Sequence, residues 1–169
     1  METLRPGDLV TTRTSGALPI RWIGQRSLRA DRSLAPIVFM PGALGNTHTM
    51  RLSPQHCVLL TGWQAELYFG EPEILVPAKH LVNGDTIYQA RPGPVTYLHL
   101  MFDAHQIIRA DGQWCESLMP GKIAMEALDD AARSEIFGIF PELARDLMAY
   151  GPAACPVGTG PAARLLEMR

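Results

Sequence analysis

The chain has 169 residues, 47% of them hydrophobic, which is length and apolar content enough for one domain with a packed core. A formal net charge of −2, with no basic block, gives no broad field for holding nucleic acid or an anionic membrane. No apolar run approaches the roughly 20 residues of a membrane span, and residues 1–8 lack the apolar core of a signal peptide.

From residue 4 to about residue 117 the texture is β. Short runs rich in Val, Ile, Leu and aromatics alternate with Gly, Pro, Asn and Asp, and fifteen glycines and fourteen prolines supply the punctuation. Strands are predicted at 9–12, 19–26, 37–40, 50–52, 57–60, 74–76, 86–90, 95–102, 105–109 and 113–116. Asp111-Gly112 between the last two is a two-residue hairpin signal. In the 95–102 run both faces are largely apolar, so this strand is expected to be covered on both sides.

After Pro120-Gly121 helix formers take over. Ile123, Ala127, Leu128, Ala131 and Ile136 fall near helical spacing, predicting a helix over 122–138. Pro141 is placed to open a second, shorter helix reaching residue 150. Residues 151–160 read as a loose Gly/Pro/Ala segment, and 164–169 as a frayed terminal turn. The organisation expected is a β domain over 1–120, a helical extension over 121–150 packed on it without chemistry of its own, and a flexible tail over 151–169.

A short internal repeat stands out. Leu4-Arg5-Pro6-Gly7-Asp8-Leu9-Val10 and Leu81-Val82-Asn83-Gly84-Asp85-Thr86-Ile87 share the pattern Leu-x-x-Gly-Asp-x-aliphatic. Each is followed by a histidine that opens an apolar strand, His56 before Cys57-Val58-Leu59-Leu60 and His105 before Gln106-Ile107-Ile108. The same order twice suggests two related β halves about a pseudo-twofold axis.

These motifs carry a resemblance. The Leu4–Val10 stretch resembles the Gly-Asp-x-Val element of Hint domains, the self-processing modules of inteins and Hedgehog proteins. Ser53-Pro54-Gln55-His56 resembles their Thr-x-x-His motif, with Ser53 in place of Thr. The stretch from Tyr97 through His105 and Ala110-Asp111-Gly112 to Ser117 resembles their closing motif. The wording Val76-Pro77-Ala78-Lys79-His80-Leu81 and Glu116-Ser117-Leu118-Met119-Pro120-Gly121 is similar to a bacterial branch of the family. The likeness covers roughly residues 2 to 140.

The resemblance implies an all-β, horseshoe-like Hint fold with pseudo-twofold halves and a small C-terminal helical appendage. It implies acyl-transfer chemistry in which a Cys or Ser attacks the peptide bond preceding it. His56 would protonate the leaving nitrogen, Ser53 would hold the scissile peptide, and His105 would assist the later step. The substrate implied is the chain's own upstream segment, with no metal or organic cofactor.

Other polar residues read as structural. Asp8 and Asp85 follow glycines at strand starts and are expected in turns, as is Asp103. His99 is expected in the core, His80 beside a turn and His48 in an exposed loop. Cys57 is expected to pack as a small hydrophobe, and Trp22 and Trp114 as packing residues. Cys57, Cys115 and Cys155 have no CxxC spacing and support neither a disulfide framework nor a structural zinc site; a metal site on His56, His105 or His99 with Cys57 is a weaker rival.

Two departures from the family pattern set further expectations. The family nucleophile lies about twenty residues before the Gly-Asp element. Here Met1 is six positions before Gly7, so these residues are expected to hold the remainder of a site without its attacker. Inteins end in His-Asn, whose Asn cyclises; Cys115-Glu116-Ser117 stands here instead, so cleavage rather than splicing is expected. The alternative expectation is a degenerate Hint fold serving as a non-catalytic binding or scaffold module of a larger secreted or surface protein. An exposed β edge left by a missing first strand would favour a homo-oligomer.

Overall fold

The structure, a computed structural model, describes residues 3–158 and 162–163. The short turn expected at 164–169, and part of the expected tail, lie outside these residues. Eleven strands and three α-helices are found among them: β1 (Leu9–Thr11), β2 (Ala17–Pro19), β3 (Trp22–Ala30), β4 (Ile37–Phe39), β5 (Met50–Leu52), β6 (Cys57–Thr61), α1 (Trp63–Phe69), β7 (Glu73–Pro77), β8 (Ile87–Gln89), β9 (Gly93–Met101), β10 (Ile107–Ala110), β11 (Gln113–Glu116), α2 (Lys122–Ala127) and α3 (Asp130–Ile139). The strands form antiparallel pairs in several small sheets, ordered β1-β2, β3-β9, β5-β4-β8 and β10-β11-β6-β7. The chain is thus mostly β, with short helices at its C-terminal end.

Two compact units divide the chain. The first comprises 1–26, 98–108 and 117–154; the second comprises 27–97, 109–116 and 155–169. The long strands β3 and β9 each contribute one end to either unit.

In the second unit the core is built on strands that are buried over their whole length. All of β4 is buried, as are four of the five residues of β6 and of β7. Phe39, Val58, Leu75 and Val76 are almost fully withdrawn from water. Residues so flanked by neighbours on both faces read as continuous apolar runs, which is why the sequence marks them so clearly. Helix α1 connects β6 to β7, packs against both and is bounded by glycines, Gly70 taking the left-handed conformation (φ 71°) as its C-terminal cap. The hairpin turn between β10 and β11 has Asp111 and Gly112 both at positive φ (49° and 89°), as a type I′ turn requires. The loop 42–48 docks on it: the Thr47 N–H donates to the Asp111 carbonyl (2.8 Å). Buried Asn46 holds that loop in shape, its amide donating to the carbonyls of Met40 (2.9 Å) and His48 (2.7 Å). On the open edge of β7, the Leu75 N–H donates to the Pro156 carbonyl (2.9 Å) and the Gly158 N–H to the Leu75 carbonyl (2.8 Å), with Val157 bridged to Leu75 in parallel. The segment expected to be loose therefore has a definite place as far as residue 158.

In the first unit two apolar clusters form. Ile20, Leu100, Phe102 and Ile108 make one, with Val10 and Leu18 against it. Trp22, Met101, Met125, Leu128, Ile136 and Phe140 anchor the other, on which the helices sit. The predicted strand 19–26 is interrupted at Ile20-Arg21. Ile20 is pinned to the first repeat turn by its N–H to the Asp8 carbonyl (2.9 Å) and by the Gly7 N–H to its own carbonyl (2.8 Å). Only Leu100, Met101 and Phe102 of the 95–102 run are buried, so the double covering is confined to its end.

The single helix expected over 122–138 is two. Leu128 is extended (ψ 152°) and Asp129 caps α3, its carboxylate accepting the Ala132 N–H (2.8 Å). Arg133 donates back to the Leu128 (2.6 Å) and Met125 (3.1 Å) carbonyls, satisfying the end of α2. Ile123, expected on the buried face, is 79% exposed, and Met125 joins the expected Leu128 and Ile136 in the contact. The second expected helix is two single 3₁₀ turns, Pro141–Ala144 and Leu147–Tyr150. They are separated because the Asp146 carboxylate accepts the Met148 N–H (2.9 Å) and restarts the backbone there.

Candidate functional site

Ser53 and His56 are the two ends of one β-turn. The His56 N–H donates to the Ser53 carbonyl (3.1 Å), closing Ser53-Pro54-Gln55-His56. Proline suits the second position of such a turn because its φ is already fixed near the required value. Closure brings the first and last Cα to within about 7 Å of each other. The turn is braced from behind by the 3₁₀ turn Ala78–Leu81, with the Ala78 N–H on the His56 carbonyl (2.9 Å) and the Lys79 N–H on the Pro54 carbonyl (3.1 Å). Pro54 is buried, whereas Ser53 and His56 are half-buried.

Cys57, the next residue, opens β6 and is buried. Its N–H donates to the Glu116 carboxylate on the neighbouring strand (2.7 Å). Its thiol donates to the Gln55 carbonyl (3.6 Å). Burial and then the Glu116 charge push this thiol far above its ordinary range, only partly offset by Lys79. Cys115, paired with Val58 across the β11–β6 ladder, is pushed up to about 12, first by burial and then by Glu116 and Asp111. Both therefore stay protonated at neutral pH, and a thiolate is the form that attacks carbonyls.

His105 belongs to the first unit and is 4% exposed. It lies in the short link between β9 and β10, two residues before β10. The link is fixed on one side by Ser117, which is itself buried: the Gln106 N–H donates to its hydroxyl (3.0 Å) and its own N–H to the Gln106 carbonyl (2.8 Å). On the other side the Ala154 N–H donates to His105 Nδ1 (3.0 Å). Just upstream, the Tyr150 hydroxyl donates to the Phe102 carbonyl (2.8 Å). Ser53 and His56 thus come together in one unit, and His105 is built into the other.

The remaining polar residues have structural partners. The Asp8 carboxylate accepts the Arg5 N–H (2.8 Å) within the first Gly-Asp turn. Asn83 does the equivalent in the second turn, accepting the Asp85 (3.0 Å) and Ile87 (2.9 Å) N–H groups. Asp103 pairs with Arg21 (3.1 Å) at the surface. His48 is exposed beside Asp111. The buried Trp22 indole donates to Glu135 (2.9 Å), and the Arg109 guanidinium lies over the Trp114 ring. Among the described residues no three His, Cys, Asp or Glu side chains gather as a metal would need. Two features escaped sequence reasoning: the Glu116 contact to the residue after His56, which depends on strand register, and the Ala154 amide, a backbone donor with no side-chain signature.

Small antiparallel sheets joined by glycine turns, with a Ser-Pro-Gln-His turn heading a buried strand, define a mostly β protein carrying a short helical C-terminal region. A model of the Hint domain family matches residues 1–122, and the chain belongs to that family. No curated protein and no solved structure matches it.

Proposed function

We propose that this domain carries the acid and the positioning groups for self-cleavage of an upstream segment by an N–S or N–O acyl shift. The observation that supports it most directly is the closed Ser53–His56 turn, which brings these two residues to the head of a buried strand. In this reading a cysteine or serine opening a strand upstream of Leu4 attacks the carbonyl carbon of the peptide bond before it. The S–C or O–C bond forms as the C–N bond breaks. The departing nitrogen takes a proton from His56, and the proton that the nucleophile gives up replaces it, so the histidine ends as it began. Ser53 hydrogen-bonds the scissile peptide and favours its distorted form. His105 assists the second step, in which an outside nucleophile takes the acyl group and frees the upstream segment.

Splicing does not fit, because Cys115-Glu116-Ser117 stands where a cyclising asparagine is needed, and neither Glu nor Ser forms a succinimide. Residues 1–6 hold neither Cys nor Ser, so the attacker in this reading comes from sequence outside these 169 residues. The repeated Leu-x-x-Gly-Asp turn, one in each unit with one of the two histidines, supports a fold of two related halves. The burial of His105 to 4% favours a second reading, a Hint fold retained as a non-catalytic binding or scaffold module. Self-association through a β edge is a further part of the proposal, checked by the mass in solution.

Intact-mass measurement separates the two readings. A chain extended upstream by its native residues is expected to split at a Cys or Ser before Leu4, faster with added thiol, and to stay whole when His56→Ala is introduced. If both remain whole, the binding-module reading takes over.

A further inference from the structure

We infer that the segment 150–154, which follows the helices, is a positioning element that fixes His105 as its Nε2–H tautomer. A backbone N–H can only donate, so the 3.0 Å bond from Ala154 requires a lone pair on Nδ1, and the ring proton then sits on Nε2. This assigns His105 the part of a hydrogen-bond donor and not of a base at Nε2. With the ring 4% exposed, it serves a group brought into the core beside it rather than one in open solvent.

The segment is anchored for the task. The Tyr150 hydroxyl is buried and donates to the Phe102 carbonyl (2.8 Å), three residues before His105, while the Tyr150 ring packs edge-on to Phe140 (6.0 Å, 89°). The two hydrogen bonds grip both ends of the 102–105 link. Without the Tyr150 bond a buried carbonyl would lose a donor; without the Ala154 bond the Nδ1 lone pair would lose the donor that favours it. The Ala154 side chain itself is exposed, so nothing but the backbone N–H is being used. The helical region thereby acquires a role in the chemistry. That role rests on the reading of His105 as a site residue, while the hydrogen bond and the tautomer can be tested apart from it.

The test is nitrogen-15 NMR of the imidazole in the full chain, unmodified and with Ala154→Pro, which removes the N–H and fixes the backbone φ there. The expected result is a neutral Nε2–H tautomer for His105 in the unmodified chain and a shift towards Nδ1–H, or a mixture, in the variant. An Nδ1–H tautomer at the outset, or a spectrum that Ala154→Pro leaves unchanged, overturns the inference. Should the proline variant fail to fold, amide exchange decides. The Ala154 N–H is expected to exchange roughly tenfold more slowly in the unmodified chain than in His105→Phe; equal rates overturn the proposal. In the upstream-extended chain, Ala154→Pro is expected to slow the second step and let the ester or thioester accumulate. Normal processing by His105→Ala, with the Nε2–H tautomer found in the unmodified chain, would instead overturn the reading of His105 as a site residue.

Discussion

The two histidines that the sequence places in matching positions are held in opposite ways. His56 stands at the end of a proline turn, with its backbone braced and its side chain half-buried. His105 is sunk among its neighbours, with a ring nitrogen engaged by a backbone amide from nearly fifty residues further on. A turn fixes where a side chain starts and acts through the backbone alone. A bond from a backbone N–H to the ring itself also sets which ring nitrogen is the acceptor. One motif repeated in sequence can thus be held in two ways, the difference lying in what packs around each copy.

The sharpest way to break this contrast is to damage one unit and read both. Phe39→Ala empties the centre of the second unit's core and is expected to cost about 3–5 kcal/mol, seen as a lower urea midpoint. Exchange protection should fall more at the Ala78 amide, which braces His56, than at the Ala154 amide on His105. Next in size is Gly112→Ala, expected to cost about 2 kcal/mol. Its φ of 89° disfavours any side chain, and the added Cβ would come 3.1 Å from the Gly45 carbonyl. The urea midpoint measures this too, with the tautomer of His105 predicted not to change.

Tyr150→Phe addresses the other unit. Losing one hydroxyl and stranding the Phe102 carbonyl should cost about 1–2 kcal/mol and raise the Ala154 exchange rate, leaving the Ser53–His56 turn untouched. The smallest effect is expected in mild alkali. Cys57 and Cys115 lie in the second unit, and both thiols are raised above the usual value of 9.0 by burial. The folded state therefore binds more protons, so their contribution is fully present below about pH 9 and fades as pH rises towards 12. Tyr150, in the first unit, is likewise raised by burial, but from 10.0. Protection in the second unit should start to decline about one pH unit before that in the first.

Much of the β architecture could be read from residue pattern because it depends on local signals. Strands buried on both faces, such as 37–39 and 57–60, announce themselves as apolar runs, and Asp111-Gly112 specifies its turn almost uniquely. Helix α1 was missed although Gly62 and Gly70 bracket it, since seven residues give too short a window for helical period to show. The division between α2 and α3 was missed because Asp129 can be read as an ordinary helical residue or as a cap, and only the extended Leu128 before it decides. In the site, Ser53 and His56 were legible because the turn between them is local. The fastening of His105 was not, because the partner is a peptide N–H whose presence in the sequence is the same at every non-proline position.

The strand pairing of residues 156–158 with β7 bears on how the protein behaves in a crowded solution. Ile74, Leu75 and Val76 form a β-prone apolar stretch, and an uncovered edge there would be a template on which other chains could add strands. The Pro156 carbonyl and Gly158 N–H occupy the two Leu75 groups an incoming strand would seek. Proteolytic trimming at an accessible point such as Pro152-Ala153 would therefore do more than shorten the chain: it would turn a self-contained sheet into a seed for aggregation.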